Sequence, residues 1–145
     1  MKHFNYPVDL LTEDDGVTVT FPDIPECITC GDTIDEALFH AKDALETVLF
    51  EMYIDEDKCL PLPSESKQGQ HIVTLDMQGC LKLHLYATMK QQNVKLAYIA
   101  KELNLPWNNA KRMLTRNYNA KMDKYEAAFR VLGTVPQISL SPIRH

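Results

Sequence analysis

Between Leu96 and Thr115 the chain carries side chains suited to reading nucleic acid. Ile99, Leu103, Leu105, Ala110 and Met113 recur at the spacing that packs two short helices across a tight turn. Ala100 is small enough to let the pair approach. Asn104 stands at the turn, where a positive φ is expected and asparagine tolerates it. Pro106 sits in or just after it, where its missing N–H breaks no helix bond. The second helix then turns Trp107, Asn108, Lys111, Arg112 and Thr115 outward. Arginine can chelate a guanine edge, asparagine an adenine edge, and threonine can touch a thymine methyl. Arg116, Asn117, Lys121 and Lys124 follow and suit phosphate contacts. The alternative is an ordinary helical hairpin with a solvated basic face. The spacing, Ala100 and the local charge together favour a DNA-binding helix-turn-helix.

Other chemistries have weaker support. Cys27 and Cys30 form a lone C-x-x-C, and on an extended chain residues i and i+3 point to opposite faces. No second pair completes a zinc knuckle, so they read as small, partly buried thiols. Asp9, Asp23, Asp32 and Glu36 come from a strand, a turn and a helix start, the way a two-metal nuclease gathers its acids. A half with this many acids produces such sets by chance. His3, His40, His71, His84 and His145 are scattered, and there is no P-loop, nucleophile elbow or dinucleotide fingerprint. No catalytic, metal or cofactor residue is assigned.

Composition sets the frame for these sites. At 145 residues, 45% hydrophobic and 24% charged, the chain reads as a globular protein of one ordinary or two small domains. No apolar run reaches the roughly 18 residues of a membrane span. Met1 to Pro7 shows no apolar signal core. Four cysteines are too few for a disulfide scaffold at this length, which leaves a reduced, cytoplasmic protein as the expectation. The net charge of −5 hides an asymmetry. Residues 1–76 carry 4 Lys and Arg against 17 Asp and Glu, a net −13, and residues 77–145 carry 11 against 3, a net +8. The basic half could meet a polyanion and the acidic half a basic protein, or the two could be solvated faces that attract each other.

The elements that position these residues fall into two groups. Phe4 to Leu10 alternate at a strand period, with Pro7 hinting at an edge position. Asp15-Gly16 favours a hairpin into Val17–Phe21, and Glu26–Cys30 suits a short third strand. Thr33-Ile34-Asp35-Glu36 matches a capping box and opens a helix to about residue 53, its stripe running Ile34, Ala37, Leu38, Ala41, Leu45, Val48, Leu49, Met52. A proline-rich linker segment, 60–70, precedes a strand at His71–Leu75. The spacing then predicts helices over 77–92, 95–103 and 107–115, and a last one opened by Asp123 and closed by Gly133. The reading is α+β: a β-β-β-α-β domain over 1–76 and an all-α helix-turn-helix domain over 77–145 with a short terminal strand. One helix-turn-helix covers too little DNA, so a homodimer or higher even oligomer is expected. Ile138 and Leu140 on that strand are expected to pair with their copies across a two-fold, helped by the helix bearing Phe129.

The first half resembles the HicB antitoxins. The resemblance is carried by Gly16-Val17-Thr18-Val19-Thr20-Phe21-Pro22-Asp23-Ile24-Pro25, Thr29-Cys30-Gly31-Asp32-Thr33, Glu36-Ala37 and Ala41-Lys42-Asp43-Ala44-Leu45, with Tyr6-Pro7 and Leu60-Pro61-Leu62-Pro63. The basic helix-turn-helix extends it over almost the whole chain. It implies a partial ribonuclease-H-like first domain that is not a working enzyme. It implies as partner a HicA toxin, a small basic mRNA interferase with a double-stranded-RNA-binding fold and a catalytic histidine. It also implies repression of the shared operon. Asp23, Asp32, Asp35 and Glu36 are the expected toxin-binding residues. Cys27 and Cys30 lie outside the family pattern. Two other functions remain open on sequence alone: a stand-alone transcription regulator with an acidic protein- or ligand-binding domain, and a metal-dependent nuclease.

Overall fold

A computed structural model describes residues 3–142, so His145 lies outside the described residues. Strands β1 (Tyr6–Glu13), β2 (Gly16–Phe21), β3 (Ile24–Gly31) and β4 (His71–Val73) form one antiparallel sheet in the order β3-β2-β1-β4. Period-2 alternation sends Tyr6, Val8, Val17, Val19 and Phe21 to the face covered by helix α1 (Ile34–Thr47). Ile24 and Cys27 are three apart yet both buried, because the β2–β3 register is irregular between Thr20 and Phe21. Cys30 stays exposed, so the two cysteines face apart.

β1 is an interior strand, which corrects the edge position suggested by Pro7. Pro7 pairs with Ile72 of β4, while the β1–β2 register runs only from Asp9 to Glu13. The missing N–H therefore costs no β1–β2 bond.

Thr33 caps α1 by accepting the Glu36 N–H at 3.1 Å, the first half of the expected capping box. Past Thr47 the helix widens into a π-helix, Val48–Ile54, where Asp55 N–H bonds the Phe50 carbonyl five residues back. The wider turn shifts the buried stripe. Phe50 and Ile54 enter the core, and the expected Met52 is exposed.

The proline-rich stretch runs as a strap along the sheet. Tyr6 donates to the Pro61 carbonyl at 2.7 Å, Asp23 accepts from the Ser64 N–H at 2.9 Å, and Gln70 donates to Asp9 at 3.0 Å.

Helices α2 (Met77–Gln92), α3 (Leu96–Glu102), α4 (Trp107–Arg112) and α5 (Met122–Val131) complete the described residues. Asp76 caps α2 through the Gly79 N–H at 2.8 Å, and Asn93 ends it in the left-handed region at φ 55°. Lys121, not Asp123, precedes α5, and it makes no side-chain cap. α2 is apolar on two sides. Leu83 and Tyr86 join the core under the sheet, while Leu85 and Met89 join a second core with Ile99, Met113, Tyr125, Phe129 and Leu132. Lys90 adds an ion pair to Asp57 at 2.6 Å. The expected terminal strand is not formed within the chain. Residues 134–142 have no strand partner, and Ile138 and Leu140 are 77% and 91% exposed.

Gly31 is the most tightly enclosed of the glycines. A Cβ there would lie 2.5 Å from the Ala37 backbone nitrogen, where β3 meets the start of α1. Backbone cannot move aside as a flexible side chain can. Gly31→Ala is expected to destabilise the chain by roughly 2–3 kcal/mol, read as a lowered urea midpoint with an unchanged m-value.

Candidate nucleic-acid interface

α3 and α4 pack through Ile99, Ala100, Ala110 and Met113, all buried. Asn104 makes the turn at φ 51°, as its residue type suggested. The Leu105 N–H bonds back to the Ala100 carbonyl at 2.9 Å, and Pro106 opens α4. This packing leaves Trp107, Asn108, Lys111 and Arg112 exposed on α4. The Arg112 guanidinium lies over the Tyr118 ring, 5.5 Å from its centroid. Tyr118 was not singled out in the sequence. Its only signal was an aromatic amid the asparagines of a basic turn.

The remaining predicted contacts divide. Asn117 and Lys121 are exposed, Asn117 at φ 69°. Thr115 is half-buried and spends its hydroxyl on the Lys111 carbonyl at 2.7 Å. Arg116 points into the acidic half and bonds Asp43 at 2.8 Å. Phe129, expected at a dimer interface, is buried in the chain's own second core.

Beneath α4 sits a buried lysine that sequence reading missed. Lys82 is 3% exposed, and its ammonium donates to the Arg112 carbonyl at 3.1 Å and the Tyr125 hydroxyl at 2.7 Å. A cation at the C-terminal end of α4 faces the negative end of its dipole. Burial pushes the Lys82 ammonium down to about 8 and the Tyr125 phenol up to about 12.

The predicted acidic site is only partly assembled. Asp32 and Glu36 line an open groove with Glu13, Asp15, Cys30 and His40 where β2 begins and β3 ends. Asp35 is exposed on the first turn of α1, outside that groove. Asp23 lies elsewhere and anchors Ser64. His40 uses Nδ1 on the Cys30 carbonyl at 2.9 Å. Among the described residues no group of three or more His, Cys, Asp or Glu side chains is placed to hold a metal ion. No helix there is long and apolar enough to cross a membrane.

Residues 5–84 match the family described as HicB_like antitoxin of bacterial toxin-antitoxin system. The chain is 34% identical over 132 residues to Antitoxin HicB 2 of Photorhabdus laumondii subsp. laumondii, covering 91% of this chain and 93% of that one. It is 31% identical over 129 residues to Antitoxin HicB of Escherichia coli K12, covering 88% and 93%. The crystal structure of the Burkholderia pseudomallei antitoxin HicB aligns with a TM-score of 0.45 at 18% identity, over 68% of this chain and 95% of that one.

Proposed function

The chain belongs to the HicB-like antitoxin family of bacterial toxin–antitoxin systems, and from that premise we propose that it neutralises a basic, HicA-like toxin and represses its own operon by binding operator DNA. Members of the family are regulatory proteins rather than enzymes. On this reading the protein acts in the cytoplasm. Residues 1–76 carry a partial ribonuclease-H-like toxin-binding unit, with the 60–70 segment as its strap and Leu83 and Tyr86 of α2 completing its core. Residues 77–145 form the helix-turn-helix unit. Asp32, Asp35 and Glu36 offer the toxin its first electrostatic contacts. Net charges of −13 and +8 on the two halves suit a basic protein and a polyanion respectively.

One observation carries the DNA assignment: Trp107, Asn108, Lys111 and Arg112 stand exposed on a helix whose opposite side is locked against α3. α4 then enters the major groove, with Arg112 and Asn108 toward base edges and Lys111, Asn117 and Lys121 toward phosphates. Arg112→Ala is expected to cost roughly 1–3 kcal/mol per half-site and to relax preference at one base pair. Lys121→Ala should weaken every sequence alike and flatten the salt slope by about 0.9. Titrations against operator and scrambled duplexes at several salt concentrations distinguish the two. An unchanged operator-to-scrambled ratio for Arg112→Ala would remove α4 as the reading helix.

The DNA-binding species is a dimer joined through the exposed segment bearing Ile138 and Leu140, without Phe129. Sedimentation at micromolar concentration should give a dimer for the natural chain and a monomer for Ile138→Asp/Leu140→Asp. A monomeric natural chain would sink the assembly.

A further inference from the structure

Arg116 leaves the turn after α4 and reaches three carboxylates of the acidic half. Nη2 lies 2.8 Å from Asp43 Oδ1, Nε 3.6 Å from Glu46 Oε1 and Nη1 3.8 Å from Glu51 Oε1. Asp43 and Glu46 share a face of α1 at i, i+3. The wider π turn brings Glu51 nearer to that face than an α turn would. The Arg116 side chain is only 23% exposed, and one cation facing three anions is a network rather than an isolated surface pair. A guanidinium four residues past Arg112 is otherwise well placed to meet the same polyanion.

We propose that this contact is an ionic latch that withholds Arg116 from nucleic acid: Asp43, Glu46 and Glu51 compete with DNA phosphate for one guanidinium. The latch stands on the ion pairs alone, and its consequence rests on the DNA-binding reading above. The free chain then binds duplex with one phosphate contact fewer than its basic turn offers. Occupation of the three carboxylates by a basic partner releases that contact.

The test is a salt titration of full-length chain on a short random-sequence duplex. The natural chain and Arg116→Gln should share one slope. The triple variant Asp43→Asn/Glu46→Gln/Glu51→Gln should bind more tightly, with a slope steeper by about 0.9, the value for one added phosphate contact. Adding Arg116→Gln to the triple variant should return the natural slope. If Arg116→Gln alone flattens the slope, the guanidinium already holds phosphate and the latch is wrong. It is equally wrong if the quadruple variant keeps the steeper slope, since lost repulsion then explains the gain. A urea-unfolding cycle between Arg116→Gln and the triple variant reads the latch without DNA. Strict additivity there overturns it. Clear coupling in a chain that binds no duplex overturns the DNA-binding reading, and the competition with it.

Discussion

A fragment ending at Asp76 will not unfold cooperatively, whereas one ending at Gln92 will. The first cut removes Leu83, fully buried, and Tyr86, nearly so, from the core under the sheet. Burying side chains of this size contributes roughly 1.5–3 kcal/mol each. The cut also removes the bond from the Tyr86 hydroxyl to the Lys58 carbonyl at 2.7 Å, which adds about 1 kcal/mol. The combined loss, on the order of 5 kcal/mol, matches the whole stability of many small domains. Residues 1–92 keep these contacts but expose Leu85 and Met89, so that fragment should carry Leu85→Lys and Met89→Lys. Urea unfolding followed by circular dichroism gives the comparison. Equal midpoints for the two fragments would show that α2 is dispensable to the sheet. If the first half alone silences the toxin, the competent fragment is the longer one.

Local features were the legible ones. Asn104 had to accept a positive φ because two helices meet there in few residues, and Ala100 had to be small because the helices touch. Thr33 and Glu36 form their cap bond within one turn of each other. What the sequence concealed depends on distant neighbours. Leu81, Leu83 and Leu85 alternate like a strand, since α2 feeds two cores and lacks a single apolar stripe. Phe50 fell outside the expected stripe because the π turn breaks the 3.6-residue period. Pro7 suggested an edge because a sequence cannot show how far the β1–β2 register extends. Arg116 and Lys82 look like any solvated basic residue until the fold brings Asp43 to one and Tyr125 to the other.

Removing the Lys82 node should destabilise the helical half. Lys82→Ala takes the donor from the Tyr125 hydroxyl, leaves the Arg112 carbonyl only the Thr115 N–H at 3.3 Å, and opens a cavity beneath α4. Losses of these kinds together cost roughly 2–4 kcal/mol. Lys82→Met keeps the volume and removes a buried charge, so its cost at neutral pH should be smaller. The two variants share a pH signature. In the folded chain Lys82 loses its proton near pH 8, but in the unfolded chain it does so near 10.5. Between those values the unfolded state binds more protons at this site, so Lys82's own contribution to stability rises with pH, while the raised thiols of Cys27 and Cys80 oppose it from about 9. Above about 10 the buried phenol of Tyr125 adds to that opposition. Tyr125 holds its proton to about 12 when folded, and the unfolded chain ionises first. Relative to Lys82→Met, the natural protein should therefore gain on the order of 2 kcal/mol between pH 8 and 10. Both Lys82 variants should lack that gain and keep the fall set by the buried thiols and phenol. On the proposed DNA-binding reading, Lys82→Met should also bind operator more weakly while remaining folded, because α4 has lost the cation at its C-terminal end. Urea midpoints from pH 7 to 11 decide it. A difference between the natural protein and Lys82→Met that stays flat from pH 8 to 10 would mean that Lys82 is not the buried donor holding the end of α4.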